Sequence, residues 1–373
     1  MTRLRGNRDM KITIEQYIEL CFTMRLPSKG DLIYTHEKEW EQNIKVIHAE
    51  VSDRMKFSIP IHYINSYDIN SCIISLDTNQ WFHIIDIAMF GYFQEIFNSL
   101  YFDSPNYCVF IYRRIRHDIC LSKSNYREAS YYYADKIFAN EHDIMDNILP
   151  RKYSERQIEE YKCMMRFYFL HEYSHYLIAN PLRDASSDLA NLIVKTFLDN
   201  VAKDNNPFFS TEFKKGIQKT MVKTFSDEWH KDPKFRQEVY CDLQAIFCLL
   251  ELPGVYKEIT VEMIFDAVMS FMYIQHVIWL AKHIDEPVQI GNQFCFRQNI
   301  IATLAWLMEE KEFADLLSHM LQKSNRFFIP SELKINPMLW QKQQNFYSYF
   351  VEIVLADRKK EIKNEKYIFP IFL

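Results

Sequence analysis

The chain has 373 residues, of which 48% are hydrophobic and 16% aromatic, and its formal net charge is -5. This composition predicts a folded globular protein with a large core and excludes a disordered chain. No long basic stripe is present, so nucleic acid is not indicated as a partner. The six glycines are scattered, which excludes P-loop and dinucleotide-binding loops, and no G-x-S-x-G elbow of a serine hydrolase occurs.

The cysteines and the apolar runs predict a soluble protein. The eight cysteines include no C-x-x-C pair and lie in apolar runs, which indicates reduced, buried thiols of a cytoplasmic protein. The basic stretch 1–8 is not followed by an apolar segment, so no signal peptide is expected. The longest uncharged run, 267–281, is too short to cross a bilayer. We therefore expect a cytoplasmic location and no membrane partner.

The first hundred residues carry mixed helix and strand signals. Helical periodicity covers residues 12–25 and 36–55. Short strands rich in isoleucine and aromatic residues are predicted at 57–64 and 71–75. A long apolar helix is expected at about 79–99, with its aromatic side chains in the core.

Two further strands are predicted at 108–112 and 118–121, where arginines interrupt apolar residues. Charged outward positions are common on edge strands. If the protein is a peptidase, an edge strand beside its site would pair with an extended substrate backbone. Residues 126–149 predict a helix followed by a loop.

The most informative stretch is His171-Glu172-Tyr173-Ser174-His175, inside a helix predicted at about 154–179. Ser154 and Gln157 form a capping box at its start, and Asn180-Pro181 ends it. Positions four apart share one helix face, so His171 and His175 can direct two imidazoles at one point, with Glu172 beside it. Two imidazoles and a carboxylate are what a zinc hydrolase needs. A chance match to so short a pattern is the alternative.

A zinc site of this kind needs a third protein ligand and an open fourth position. A further histidine six residues beyond the second is excluded, because Pro181 stands there. A second helix is predicted from Asp232-Pro233 to about residue 253, with Glu238 and Asp242 one turn apart among apolar residues. Zinc on Glu238, and a ligand histidine donating to Asp242, would offset the cost of burying both carboxylates. Cys241 is the alternative ligand on this helix.

The pairing of H-E-x-x-H at 171–175 with E-x-x-x-D at 238–242 resembles the gluzincin metallopeptidases, most nearly the compact soluble bacterial types that include phage-exclusion peptidases. The resemblance implies an α+β, mostly helical fold with a zincin-like active-site helix, a small mixed or antiparallel sheet and a C-terminal helical bundle. It also implies roles for five residues: His171, His175 and Glu238 as zinc ligands, Glu172 as the base, and Asp242 behind the first ligand.

The family often has a His-Pro step and an arginine after the third-ligand helix. This chain has His283, Pro287 and Arg297 there, which correspond only loosely.

The expected chemistry is hydrolysis of a peptide bond. Zinc would lower the pKa of a water molecule, and Glu172 would take its proton during attack on the carbonyl and pass it to the leaving amine. The developing oxyanion needs a protein donor besides the zinc. Candidates lie on an apolar helix predicted at about 259–282 or just after it, namely Tyr273, His276 and His283. A buried tyrosine or histidine in such a helix is more often a core residue.

Three parts are predicted along the chain. Residues 1–150 form an N-terminal α/β part with short strands and the substrate-edge strand, 151–255 a zincin catalytic core, and 256–373 a C-terminal helical part.

Other helices are predicted at 182–203, 299–323 and 338–366. The charged run 357–361 is expected on a solvated face, and the apolar residues 367–373 pack on the body or contact a partner.

Three other interpretations of the site stay open. A di-iron bundle uses Glu-x-x-His twice, and only one copy, Glu172 with His175, occurs. A non-catalytic regulator or partner-binding protein of zincin fold would use zinc structurally, but such a site has no use for Glu172 and usually closes with a fourth Cys or His. An enzyme acting on a non-peptide amide would carry the same motif.

We expect a zinc metallopeptidase with a specific intracellular protein or peptide as substrate. A role in phage defence or stress response rests on the resemblance alone.

Overall fold

The structure, a computed structural model, describes ten stretches of the chain: 12–25, 32–76, 80–100, 105–133, 154–179, 191–199 without 197, 226–252 without 228, 256–284 without 257, 292–309 and 348–357. These residues are mostly helical and include one three-stranded mixed sheet, so the predicted α+β, mostly helical class is confirmed.

The elements in chain order are α1 (Ile14–Cys21), α2 (Leu32–Met55), β1 (Ile61–Ile64), β2 (Cys72–Ser75), β3 (Trp81–Asp86), α3 (Ile87–Leu100), α4 (Pro105–Ser122), α5 (Tyr126–Tyr133), α6 (Glu155–Ala179), α7 (Pro233–Leu249), α8 (Val261–Lys282) and α9 (Asn292–Glu309). Residues 191–196 and 348–357 are also helical. The predicted helices at the positions of α1, α2, α6, α7 and α8 are confirmed, as are the short strands β1 and β2.

The sheet has the strand order β1-β3-β2. Strand β1 pairs parallel to β3, and β2 pairs antiparallel to it, with Ile73 opposite His83. Among the strands that the structure describes, β2 therefore lies at an edge of the sheet. It packs against α6, and this contact brings the strand beside the H-E-x-x-H motif.

The single helix predicted at about 79–99 is wrong in its first part. Residues Trp81–Asp86 form the central strand, and α3 begins only at Ile87. A short apolar run that is buried on both sides cannot be distinguished from a helix by periodicity. The change occurs at Asp86, whose buried carboxylate accepts the backbone N–H of Ala88 at 3.1 Å in the manner of a helix cap.

The strands predicted at 108–112 and 118–121 are also wrong, because both lie within α4. The arginines that suggested outward edge positions are buried between helices. Arg114 pairs with Glu95 at 2.6 Å, and Arg116 pairs with Glu128 at 2.7 Å. The edge strand beside the motif is β2 instead.

The C-terminal predictions are partly corrected. Helix α9 begins earlier than the predicted 299–323, and 348–357 is helical within the predicted 338–366. Asp357, expected on a solvated face, is buried and accepts hydrogen bonds from Tyr112 and from Tyr132, the latter at 2.8 Å. The predictions for 134–149, 310–323, 338–347, 358–373 and most of 182–203, and the position of Pro287, fall outside the described residues.

One hydrophobic core extends from α2 to the helical residues 348–357 and includes side chains from all three predicted parts. The three-part division of the chain stays a prediction. Helix α8 runs beside α6 in the same direction, since Arg156 meets Asp266 and Phe167 meets Phe271. Among the described helices, α8 is long and apolar enough to cross a membrane, but 89% of its apolar window is buried inside the protein.

Candidate metal centre

Helix α6 begins at the predicted capping box. The backbone N–H of Gln157 donates to Ser154 Oγ at 3.2 Å, and the N–H of Ser154 donates to Gln157 Oε1 at 2.9 Å. Four turns later the helix presents His171 and His175 on one face. Their ring centroids are 5.0 Å apart, so the two imidazoles share one small space.

Helix α7 brings the third group to this space. Asp232 caps the helix by accepting the N–H groups of Lys234 and Phe235, and Pro233 occupies its first turn. Glu238 then lies opposite the two rings.

The Glu238 carboxylate faces the Nε2 atom of each ring. One carboxylate oxygen is 3.3 Å from Nε2 of His171, and the other is 3.4 Å from Nε2 of His175. The three groups offer ligand atoms that all lie within 4.8 Å of one another. This donor set fits the ligands of a catalytic zinc ion, and the three predicted ligands are therefore brought together.

The opposite ring nitrogens also meet groups of α7. Nδ1 of His171 lies 2.8 Å from Asp242 Oδ1, as the predicted place of Asp242 behind the first ligand requires. Nδ1 of His175 lies 3.3 Å from the sulfur of Cys241. Cys241 is thus behind His175, on the far side of the ring from Glu238, which does not favour its alternative role as a ligand.

Arg297 of α9 completes the charged cluster. Its Nε and Nη2 donate to the two carboxylate oxygens of Asp242 at 2.6 and 2.7 Å, and its Nη1 lies 3.5 Å from Glu238. Such a bidentate pair fixes the orientation of a carboxylate. Sequence reasoning noted Arg297 but could not place it, because it is 55 residues from Asp242.

Glu172 lies next to the three predicted ligands, and strand β2 lies on its other side. The backbone N–H of Ile73 in β2 donates to Glu172 Oε2 at 3.3 Å. Burial, helped by the charge of Glu238, raises the pKa of Glu172 to about 7 against the opposing influence of His171 and this hydrogen bond. A carboxylate with a pKa near neutrality can both take and release a proton. The contact with Ile73 had no signal in the sequence.

The charged groups around His171 shift one another's pKa values. Although burial lowers its pKa, the carboxylates of Asp242 and Glu238 raise the pKa of His171 to about 10. Burial and the nearby His171 charge lower the pKa of His175 to about 4. Burial would raise the pKa of Glu238, but His171 and Arg297 hold it well below its usual range. The carboxylates therefore favour a positive charge between them, which a proton or a metal ion can supply.

The three candidate oxyanion donors lie on α8 or at its end. Tyr273 and His276 are buried, and His283 follows the last turn with its ring stacked on Trp279 at 4.7 Å. His276 stacks on Phe294, whose ring also lies under the Arg297 guanidinium. Burial lowers the pKa of His276 to about 3, so its ring is neutral. None of the three belongs to the described ligand group, and their catalytic role stays a prediction.

Comparison with known proteins assigns no family to the chain. No protein-family model, no curated protein and no solved structure matches it. The residues of this site are therefore the basis for inferring a function.

Proposed function

We propose that the protein is a zinc-dependent metallopeptidase of the gluzincin kind, with His171, His175 and Glu238 as the zinc ligands. The observation that carries this proposal is the convergence of two Nε2 atoms and one carboxylate within 4.8 Å, beside Glu172. Zinc bound there supplies a Lewis acid that polarises a carbonyl and lowers the pKa of water to about 7.

Glu172, Asp242 and Arg297 have the other roles in the proposed reaction. Glu172 takes the proton of the attacking water and delivers it to the leaving amine. Asp242, clamped by Arg297, holds the His171 ring in place from the Nδ1 side.

The edge strand β2 supports a peptide as the substrate. The N–H of Ile73 donates to Glu172 and not to β3, so it marks the edge of β2 at which no other described strand pairs. An extended peptide that adds to this edge would receive main-chain hydrogen bonds and place a carbonyl near Glu172. A small non-peptide amide would make no use of a strand edge.

A regulator with structural zinc is the second candidate. Structural zinc is almost always held by four protein ligands, and the ligand group found among the described residues has three members. Cys241, whose sulfur contacts His175, lies behind that ring. These two observations favour a site with an open position.

A reducing cellular compartment is part of the proposal. None of the seven cysteines whose side chains the structure describes forms a disulfide, which is typical of intracellular proteins. We therefore propose an intracellular protein as the substrate.

The test is proteolysis of a proteome-derived peptide library, read by mass spectrometry as new peptide termini. The zinc-loaded wild type is compared with Glu172→Gln and with the control Glu155→Gln, the same change at an exposed position at the start of α6. We expect Glu172→Gln to keep zinc and to lose about 10²–10⁴-fold in cleavage rate, because the base is missing. The control should cleave like the wild type.

Two outcomes would contradict the proposal. Retained cleavage by Glu172→Gln would remove Glu172 as the base. A zinc-loaded wild type that produces no new termini would favour the regulator.

A further inference from the structure

Helix α7 contributes three neighbouring groups to the site, at positions 238, 241 and 242. Residues spaced by three and four positions lie on one face of a helix. Glu238 meets both Nε2 atoms, Asp242 meets Nδ1 of His171, and Cys241 meets Nδ1 of His175. Helix α7 therefore places a group beside both nitrogens of each imidazole.

We propose that Cys241 is a positioning residue for the metal centre, whose thiol sulfur accepts the Nδ1–H of His175 and so keeps Nε2 free for the metal. This inference rests on the proposed metal site. A neutral imidazole carries one N–H, and the group that binds one nitrogen selects which nitrogen is left with a lone pair. Ligand histidines in metal sites almost always have such a partner on the second nitrogen.

The geometry separates this role from that of a ligand. The sulfur is 3.3 Å from Nδ1 of His175, while Nε2 of the same ring faces Glu238 at 3.4 Å. A metal ion held by Nε2 would have the whole ring between itself and the sulfur. Cys241 can orient His175, but it cannot join the same coordination sphere in this arrangement.

Burial makes the thiol hard to replace. The relative exposure of Cys241 is 0%, so water does not reach this position to accept the N–H in its place. Without the sulfur, the Nδ1–H would lose its acceptor, and the ring could rotate or change its tautomer. A metal ion would then meet a less well oriented ligand.

The two histidines are held unequally. Nδ1 of His171 faces the carboxylate of Asp242, which Arg297 fixes with two hydrogen bonds. Nδ1 of His175 contacts a neutral sulfur, which is a weak acceptor. The thiol supplies an acceptor without adding a further negative charge beside Glu238, Asp242 and Glu172. We therefore expect its contribution to metal affinity to be measurable but smaller than that of Asp242.

The experiment measures the zinc affinity of the full chain by competition with a chromophoric chelator. We expect Cys241→Ala to bind zinc about tenfold more weakly, at the low end of the 10–100-fold cost usual for outer partners of metal ligands. Cys241→Ser retains a small acceptor and should lie closer to the wild type. Cys248→Ala is the control, because Cys248 is a buried thiol on the same helix that contacts Gln244. It should leave affinity unchanged.

Cobalt substitution gives a second measurement, the visible spectrum of the bound metal. This spectrum would not change if Cys241 only contributed to the stability of the fold. We expect the visible absorption bands of bound Co²⁺ to shift in Cys241→Ala but not in Cys248→Ala, since only the former changes the orientation of a ligand. No thiolate-to-cobalt charge-transfer band should appear in the wild type. If Cys241→Ala fails to fold, Cys241→Val fills the same space without an acceptor and takes its place against Cys241→Ser.

Three results would overturn the inference. Equal zinc affinity and equal cobalt spectra for Cys241→Ala and the wild type would show that the thiol positions nothing, and would leave the proposed function intact. A charge-transfer band in the wild type that disappears in Cys241→Ala would make Cys241 a ligand. A wild type that takes up neither metal would remove this inference together with the proposed function.

Discussion

Two pairs of histidines pack around helix α6, and they differ in their partners. His171 and His175 meet the carboxylates of α7. His48 and His83, with ring centroids 6.5 Å apart, meet hydroxyl groups instead. Nε2 of His83 contacts the Tyr168 hydroxyl at 2.9 Å, and Nε2 of His48 contacts the hydroxyl of Tyr173.

The partners decide the charge of each pair. Burial lowers the pKa of His48 to about 4 and that of His83 to about 3, so both rings are neutral at physiological pH. In the other pair, the carboxylates of Asp242 and Glu238 raise the pKa of His171 in spite of its burial, whereas the pKa of His175 is lowered. Two neighbouring imidazoles are therefore not sufficient for a cation site. The carboxylates of α7 distinguish this pair from His48 and His83, and each of the following changes alters one of the two pairs or its partners.

The largest expected effect is a loss of stability when Arg297, the partner of Asp242 beside His171, is replaced. Arg297→Leu leaves Asp242, whose side chain is 2% exposed, without its guanidinium partner. We expect the free energy of unfolding to fall by about 3–5 kcal/mol, the usual cost of breaking a buried ion pair. Urea denaturation measures it.

The control is Arg54→Leu, whose pair with Glu251 is 26% and 28% exposed. That variant should lose at most about 1 kcal/mol. Equal losses of unfolding free energy in the two variants would show that the buried pair stabilises the protein no more than the exposed pair does.

The second prediction concerns the neutral pair, His48 and His83, and the pH dependence of the free energy of unfolding. In the unfolded chain His83 takes up a proton below about pH 6.5, whereas the folded protein resists protonation down to about pH 3. The free energy of unfolding therefore falls as the pH falls through this window, by up to about 1.4 kcal/mol per pH unit from His83. His83→Gln should reduce this slope.

Urea denaturation at several pH values between 6.5 and 5 gives the slope for each variant. His230→Gln, the same change at an exposed position, should keep the wild-type slope. If His83→Gln also kept it, the neutral state of the buried pair would be refuted.

The smallest expected effect is that of Tyr173→Phe. This change removes the hydroxyl that contacts His48 and lies 3.1 Å from Ser52 Oγ. We expect a loss of about 1 kcal/mol in unfolding free energy and an unchanged zinc affinity. A tenfold loss of zinc affinity would show that the two histidine pairs are coupled through α6.

The parts of the site that were predictable from sequence are those with local signals. Helix α6 has its capping box, α7 has Asp232-Pro233, and the ligand spacings follow from the helical repeat. The strand β3 and the helix α4 were misassigned, because a short apolar run fits either structure and buried arginines resemble exposed ones until their partners are known.

The remaining contacts depend on tertiary packing. Arg297 reaches Asp242 from another helix, and Ile73 reaches Glu172 from a strand 99 residues away. Cys241 stood at a predictable position on α7, but only the structure shows that its sulfur lies behind His175 and not in front of it. No local pattern encodes these distances.

The metal content of the purified chain shows whether His171, His175 and Glu238 form a zinc site, with the wild type measured beside His175→Ala and Glu238→Ala. We expect about one zinc per wild-type chain and its loss, or a sharply weakened affinity, in both variants. A wild type that takes up no zinc even when zinc is supplied, or a Glu238→Ala variant that binds zinc as tightly as the wild type, would rule out this site.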